Sequence, residues 1–398
     1  MSPADRLRNP YTPNAGARPP ALVGRDTLLA DFDLLLDRVA AGYTDKGYIV
    51  TGLRGVGKTV LLAEFEELAR SKQMVVIAHE VSKSRGSFSQ RFPSLARRAL
   101  LEVSPAEKWK ARGHRAAAVL KLFKGQFDES GKWTISFDPT LAGDVSGTAD
   151  TGDFLSDLPD ALEALGEAAR EHFKTVVFLI DEIQYLSKDE LSALVMAKQR
   201  INGKALPIVL AGAGLPQLPG LTAGAQTYSE RMFNWPEIGR LPDKDSRLAL
   251  TAPADPEGVT FDDDALDYIV RYTEGYPYFL QEFGKAVWDA VEDAYITLAD
   301  AQLATSTVEA ILDQDFFSLR VTQLPDSELQ YIKSLATLGP GEHAPGDIAT
   351  AMGKTKSSQI AFSGKRLIDR GLLYSTKRGQ VAFSVPQFDR YVLRTYGA

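Results

Sequence analysis

The sequence predicts an α/β protein: an open parallel sheet with helices on both faces, continued by a helical lid and a C-terminal block of three helices and a hairpin. Three observations carry this. Residues Gly52 to Thr59 read GLRGVGKT, set between a short β-rich run, Gly47 to Thr51, and a stretch of helical periodicity, Val60 to Arg70. Thr175 to Leu186 read TVVFLIDEIQYL, whose five apolar residues Val176 to Ile180 make a strand buried on both faces, as strands of parallel sheets are. Met74 to Ala78 and Pro207 to Gly212 are further strand-like runs, with helical stretches between them, which is the alternation of a parallel sheet.

GLRGVGKT fits the phosphate-binding pattern G-x-x-x-x-G-K-[ST]. Gly52, Gly55 and Gly57 let the backbone adopt conformations closed to other residues. The amides of Leu53, Arg54, Val56 and their neighbours, through to Val60, can then turn toward one anion at a helix N-terminus. Lys58 reaches the β- and γ-phosphates as a point charge, and the Thr59 hydroxyl ligates Mg²⁺. The motif suggests ATP or ADP with Mg²⁺ but does not itself select adenine.

TVVFLIDEIQYL supplies the second half of the chemistry. The strand ends in Asp181 and Glu182 at its carboxyl end, where open α/β sheets bind ligands, so both acids are expected at the crevice that holds Lys58. Asp181 is the second expected Mg²⁺ residue, acting through water. Glu182 is the expected residue that polarises the attacking water.

Composition frames these motifs. A chain of 398 residues suffices for two or three domains with real cores, and 44% apolar with 24% charged residues is ordinary for a globular protein. There is no cysteine, which excludes disulfides and zinc–thiolate sites and permits a cytoplasmic address. Met1 to Pro20 is rich in Pro and Arg and lacks the apolar core of a signal peptide. No apolar run approaches the ~18 residues that span a bilayer, so no membrane is expected as a partner. A net charge of −7 argues against a wholly basic protein that coats nucleic acid.

With both motifs in place the chain resembles the AAA+ ATPases of the origin-recognition and cell-division-control type, and the related STAND and archaeal-type ATPases. Four features carry the resemblance: Leu22-Val-Gly-Arg25 ahead of the phosphate loop, the two Walker motifs, and Gly275-Tyr-Pro-Tyr-Phe-Leu-Gln281 downstream. It implies that Val23, Gly24 and Arg25 lie beside the adenine, with Pro277 contributing from the lid. It also implies that Arg231, in YSERMF just before the last core strand, serves as a finger completing a neighbour's site in a homo-oligomer; the alternative is a surface salt-bridge residue. Two departures point to a slow switch rather than a rapid motor. The strand at Pro207 to Gly212 runs into AGAGLPQL, offering Gly212, Ala213 and Gly214 where many relatives place a polar sensor, and GYPYFLQ lacks the arginine of many lids.

The remaining segments follow in order. Pro3, Pro10, Pro13, Pro19 and Pro20 mark residues 1–20 as an extended arm, docked or loose. The nucleotide-binding core is expected over 21–241, with an insertion at about 80–174 and a fifth strand at Ile238 to Leu241. A helical lid follows over 242–320, with Thr297 as a helix N-cap. Tyr272, Tyr276, Tyr278, Phe279, Phe283 and Trp288 form its core. Residues 321–398 read as a winged helix, with helices at Asp326 to Leu338, Pro345 to Met352 and Thr355 to Arg370 and a hairpin across Thr376 to Gly379. This block holds ten Lys/Arg against six Asp/Glu, whereas the rest of the chain holds 35 against 46. Lys354, Lys356, Ser357, Ser358, Lys365, Lys377 and Arg378 are the expected contacts to double-stranded DNA. The rival use is a signalling or defence scaffold that assembles when ATP-loaded, with the winged helix contacting protein.

Overall fold

The computed structural model describes residues 6–14, 16–84, 86–103, 154–220, 229–291, 293–375 and 379–397, and the backbone of 124–127 and 133–136. These residues form two compact units, one drawn from 25–52 and 58–238, the other from 1–24, 53–57 and 239–398.

The first unit is built on β1 (Gly47–Thr51), β2 (Val75–Glu80), β5 (Val176–Asp181), β6 (Ile208–Gly214) and β7 (Phe233–Asn234), with the hairpin β3 (Lys124–Phe127) and β4 (Trp133–Ser136) paired separately. The five strands run parallel in the order β2-β5-β6-β1-β7, in a register that sets Glu80 beside Asp181 and Ile49 beside Gly212. Alternate side chains of buried strands serve opposite faces. One face, with Val75, Ile77, Val176, Phe178 and Ile208, joins a core with α3 (Ser87–Val103), α4 (Phe154–Glu171) and α5 (Lys188–Gly203), through Phe88, Phe92, Leu158, Leu162 and Leu194. The ends of the 80–174 stretch thus pack against the sheet. The sequence also looks helical over Ala106 to Phe123, a stretch that lies outside the described residues.

The first unit also contains α1 (Asp26–Ala40) and α2 (Lys58–Ser71). Phe32 of α1 stacks on Phe65 of α2 with ring centroids 3.9 Å apart, and Tyr48 of β1 meets both rings edge-on. A capping box starts α5, in which Ser187 accepts from the Glu190 amide and the Glu190 carboxylate from the Ser187 amide. The fifth strand comes earlier than the sequence suggests, at Phe233–Asn234 rather than Ile238 to Leu241. Phe233 packs so closely over Gly47 that a Cβ there would lie 2.4 Å from its ring, and Pro236, which has no N–H to give the ladder, ends regular pairing. Pairing survives as the Pro236 carbonyl accepting from Thr51 and the Ile238 amide donating to Thr51.

The second unit is mostly helical. It contains α7 (Asp243–Ala254), α8 (Asp263–Thr273), α9 (Pro277–Ala290) and α10 (Leu298–Ile311), which runs through a π-helical stretch, Leu312–Ser318, into the short α11 (Leu319–Val321); β8 (Thr260–Phe261) and β9 (Tyr295–Ile296) pair in parallel. Thr297 and Asp300 cap α10 reciprocally. Tyr276, Phe279, Phe283 and Trp288 are buried, and Tyr272 and Tyr278 half-buried, so these rings belong to the core of this helical unit. The arm is docked rather than loose. Tyr11, 3% exposed, donates to the Leu250 carbonyl at 2.5 Å and lies where a Cβ on Gly284 would sit. Asn9 donates to Asp289 at 2.7 Å.

The C-terminal block has α12 (Asp326–Thr337), α13 (Pro345–Ala351), α14 (Ala361–Asp369), the antiparallel pair β10 (Leu373–Ser375) and β11 (Val381–Phe383), and α15 (Phe388–Tyr396). The helix expected from Thr355 is shorter, a 3₁₀ turn at Ser357–Gln359 preceding α14. Helix α15 has no counterpart in the sequence reading. Its Tyr391 stacks on Phe317 at 5.1 Å, and its Arg394 pairs with Asp313, so the block shares a core with the π-helical stretch before it. Lys377 and Arg378, at the hairpin tip, lie outside the described residues.

Candidate active site

The site is assembled at the carboxyl ends of β1, β5 and β6. β1 leads into the loop after Thr51, and the Gly52 amide donates to the Gly214 carbonyl at 3.1 Å, which ties the start of the loop to the end of β6. Gly55 and Gly57 have φ of +78° and +92°, the left-handed region where a side chain would strain the chain, so the glycines of the motif are used for conformation. Lys58 and Thr59 open α2, Lys58 buried at 7% exposure and Thr59 exposed at the helix start.

Thr59 donates its hydroxyl to Asp181 Oδ2 at 2.7 Å, and the Glu182 amide donates to Asp181 Oδ1 at 2.7 Å, so both oxygens of that carboxylate are held. Burial pushes the Asp181 carboxyl up from its ordinary range; the Thr59 and Glu182 hydrogen bonds and the Lys58 charge pull it back. Among the described residues no cluster of three or more His, Cys, Asp or Glu could hold a metal unaided. A paired Thr hydroxyl and Asp carboxylate is nevertheless a donor set that fits Mg²⁺, which completes its octahedron with water and other oxygen ligands.

Glu182 is held in an unusual way. Its backbone is left-handed, φ 55° and ψ 39°, a conformation that costs a non-glycine residue about 1 kcal/mol and turns the chain sharply at the end of β5. Its carboxylate accepts from the side-chain amide of Gln184, whose own oxygen accepts from the Leu215 amide just past β6 at 3.2 Å. Gln184 thereby links the acidic end of β5 to the end of β6. It occupies the space beside Gly214, where an added Cβ would come within 2.6 Å of its Oε1. The glycines at the end of β6 answer to close packing: a Cβ on Gly212 would lie 2.2 Å from the Ile180 carbonyl oxygen, and one on Gly214 2.3 Å from Leu218 Cδ1. The sequence reading missed Gln184, although the DEIQ string contained it.

The other expected residues are distributed as follows. Arg25, buried, precedes α1, and Val60, half-buried, continues α2. Leu53, Arg54, Gly55, Val56 and Gly57 belong to the second unit, as do Val23, Gly24 and Pro277. Gly24 has φ +67° and faces Asp245, whose Oδ2 an added Cβ would meet at 2.7 Å. Pro277 opens α9 at its first turn, a position that tolerates the missing N–H. The next residue, Tyr278, donates its amide to the Gly55 carbonyl at 3.3 Å, and the Tyr276 ring packs on Gly55. The GYPYFLQ segment and the glycine-rich loop therefore touch within this unit. Arg231 is exposed on the single-turn α6 (Ser229–Met232) and has no hydrogen-bond or ion-pair partner among the described residues. Nothing there joins it to Asp181 or Glu182.

The five-stranded parallel sheet, with the glycine-rich loop between β1 and α2, is the fold of the AAA+ class of P-loop NTPases. Residues 21–209 match the AAA ATPase domain family, and residues 314–392 match a domain of unknown function, DUF8462. No curated protein matches the sequence significantly. Among solved structures, the chain is similar to a Walker-type ATPase of Pyrococcus abyssi, at 14% identity and a TM-score of 0.56, with 94% of this chain and 97% of that one covered. It is also similar to the ORC2 protein of Aeropyrum pernix, at 14% identity and a TM-score of 0.51, with 96% of each chain covered. At such identities the likeness is one of fold. Among the described residues no helix is long and apolar enough to cross a membrane.

Proposed function

We propose that the protein is an ATP-driven switch that hydrolyses its nucleotide slowly and couples the loaded state to DNA binding through its C-terminal block. The observation that carries the first part is the Thr59–Asp181–Glu182 array at the strand ends beside Lys58. Lys58 and the loop amides bind the phosphates, Thr59 and Asp181 orient the metal, and Glu182 accepts the proton of the attacking water. Mg²⁺, when bound, offsets the charge that builds on the phosphate oxygens. The ADPNP–ADP complexes of the A. pernix ORC2 relative accord with an adenine nucleotide.

Slow turnover is supported by how Glu182 is held. A carboxylate engaged by Gln184 must give up that bond, or share it, to take a water's proton. Coupling is supported by Arg54. This loop residue reaches the C-terminal block, where a Cβ on Gly371 would fall 2.7 Å from its guanidinium. A loop that rearranges around phosphates therefore moves a side chain lodged against the turn before β10.

The DNA assignment rests on chemistry of the block itself. Three helices followed by a hairpin, with His343 bridged to Val381, is the order of a winged helix. Lys354, Lys356, Ser357, Ser358 and Lys365 are all exposed on and before α14, beside Phe362, which is 72% exposed. The test is an electrophoretic shift of a DNA duplex by the full chain, with ATP, with ADP and without nucleotide, at low and moderate salt. The proposal expects salt-sensitive binding that differs between ATP and ADP. ATP-dependent oligomers with no DNA shift at low salt favour the scaffold instead.

A further inference from the structure

At the end of the sheet remote from Asp181 lies a second concavity. Met74, Thr175 and Pro207, the residues just before β2, β5 and β6, floor a groove of ≈ 550 Å³ walled by the end of α1. Its lining contains four cationic side chains, Lys72, Arg170, Lys174 and Lys204, and no carboxylate. The helices α2, α4 and α5 all end here, and their C-terminal dipoles favour positive charge.

Those dipoles and local pairs account for three of the four cations. Lys72 is paired with Asp33 and Asp37, and Lys204 with Glu163 and Glu167. Arg170 donates to the carbonyls of Lys204 and Ala205, closing the end of α5. Lys174 has no carboxylate partner among the described residues. Beside it, Phe173 is 97% exposed, with a φ of 53°. Each helix of the trio ends on a left-handed residue, Gln73, Phe173 or Ala205, at the position that glycine favours. A phenylalanine there is strained by its Cβ and buries nothing, so folding gains from neither property.

We propose that this groove docks a segment of a partner protein, an extended peptide in which an aromatic or aliphatic side chain stands beside Asp or Glu. Phe173 supplies the apolar contact and Lys174 the charge, while the groove receives the rest of the segment. The complementary charge identifies a peptide rather than a nucleic acid. Asp33, Asp37, Glu163 and Glu167, which neutralise Lys72 and Lys204, would repel a continuous polyphosphate but not one isolated carboxylate. This docking surface is independent of the nucleotide chemistry, since the groove lies at the opposite ends of the strands.

Two variants test it without depending on the fold. Phe173→Gly removes the ring and relieves the left-handed strain, so its thermal midpoint should equal or exceed that of the parent. Lys174→Glu reverses the remaining charge. A displayed library of random peptides, panned on the full chain with excess soluble Phe173→Gly protein as competitor, should enrich sequences with Asp or Glu next to an aromatic or aliphatic residue. The enriched peptide, synthesised with a fluorophore, should bind the parent and lose roughly tenfold or more in affinity to each variant, seen by anisotropy. ATP binding should be unchanged in both. Failure to enrich over the competitor, or a peptide that binds Phe173→Gly as well as the parent, overturns the proposal. So does an oligo(dT) strand that binds in a Phe173-dependent manner while the peptide does not.

Discussion

The Thr59 hydroxyl hydrogen-bonds to Asp181 at 2.7 Å, joining the first turn of α2 to the end of β5 across 122 residues of sequence. That bond satisfies one oxygen of a carboxylate that burial disfavours, and its energetics are testable without nucleotide. The Asp181 carboxyl is raised in the folded state, so between the unfolded carboxylate value of ~3.9 and the raised value the native protein holds more protons than the unfolded chain. Stability from this group therefore falls as pH rises through that window, and the full penalty is present at neutral pH. Asp181→Asn removes the charge; its oxygen can still accept from the Glu182 amide while its NH2 donates to the Thr59 hydroxyl oxygen. It should raise the thermal midpoint of the nucleotide-free protein at neutral pH, and the gain should shrink as the pH is lowered into the carboxylate range. The same variant should lose the tightening of ATP by Mg²⁺. A lower midpoint at neutral pH would show that the charge is better solvated than its burial implies.

Glu182 and Gln184 separate binding from turnover. Glu182→Gln preserves shape but cannot take a proton, so ATP should bind as in the parent while hydrolysis falls by roughly 10² or more. Gln184→Ala frees the Glu182 carboxylate and leaves the Leu215 amide without its partner. Because Gln184 restrains Glu182, the substitution should change kcat with little effect on KM. Gly214→Ala should disturb the same contact, since its methyl crowds Gln184 Oε1 as well as Leu218. Unchanged kcat in Gln184→Ala, beside an inactive Glu182→Gln, would leave Gln184 as a structural spacer.

Lys58 supplies the cation that the loop amides cannot. Lys58→Ala should abolish tight ATP binding, a loss of about 2–3 kcal/mol for one charge-assisted contact. Displacement of a labelled ATP analogue gives the measurement, and GTP as competitor gives base selectivity. Equal displacement by GTP and ATP would remove the adenine assignment while leaving the phosphate site intact.

The nucleotide motifs were legible because each is local. GLRGVGKT and FLIDE fix backbone geometry and side-chain order within a few residues, and the parallel sheet follows from their spacing. Gln184 was not legible, because its role depends on the distance between two strand ends. Nor was the early fifth strand, where the fit of Phe233 over Gly47 outweighs the apolar run after it. Helix α15 reads as ordinary amphipathic sequence, and only the ring of Phe317 at its face shows what it covers. The groove at the amino ends of the strands was hidden for the same reason: its walls come from three separate helix ends.

A buried lysine gives an independent measure of the core. Lys198 is 1% exposed on α5, and burial lowers its ammonium to about 8, against a smaller raising effect from Asp45. The folded protein therefore releases this proton before the unfolded chain does. The cost is present in full below about 8 and fades as the pH climbs toward the ordinary lysine value, so stability from this group rises with pH in that interval. Lys198→Met should stabilise the protein at neutral pH by on the order of 3 kcal/mol at most, with the difference closing at alkaline pH. Asp45 is not stranded by the change, because Arg38 holds it at 2.7 Å. Urea midpoints of both proteins across the alkaline range decide the matter; a constant difference would mean packing rather than charge.

Arg231 tests whether one chain completes another's site. It is exposed and carries no partner among the described residues of its own chain, as a residue that acts on a neighbour must be. If it reaches the γ-phosphate of an adjacent copy, specific ATPase activity should rise with protein concentration. Arg231→Ala should remove that rise and leave ATP affinity nearly unchanged, because a finger stabilises charge that develops only in the transition state. The loss at saturating protein should be on the order of 10³ in kcat. Mixing supplies the decisive arm: Arg231→Ala has an intact nucleotide site and Glu182→Gln an intact arginine, so the two inactive variants together should recover activity. Activity independent of concentration, with no recovery on mixing, makes Arg231 a surface residue and the switch a property of the single chain.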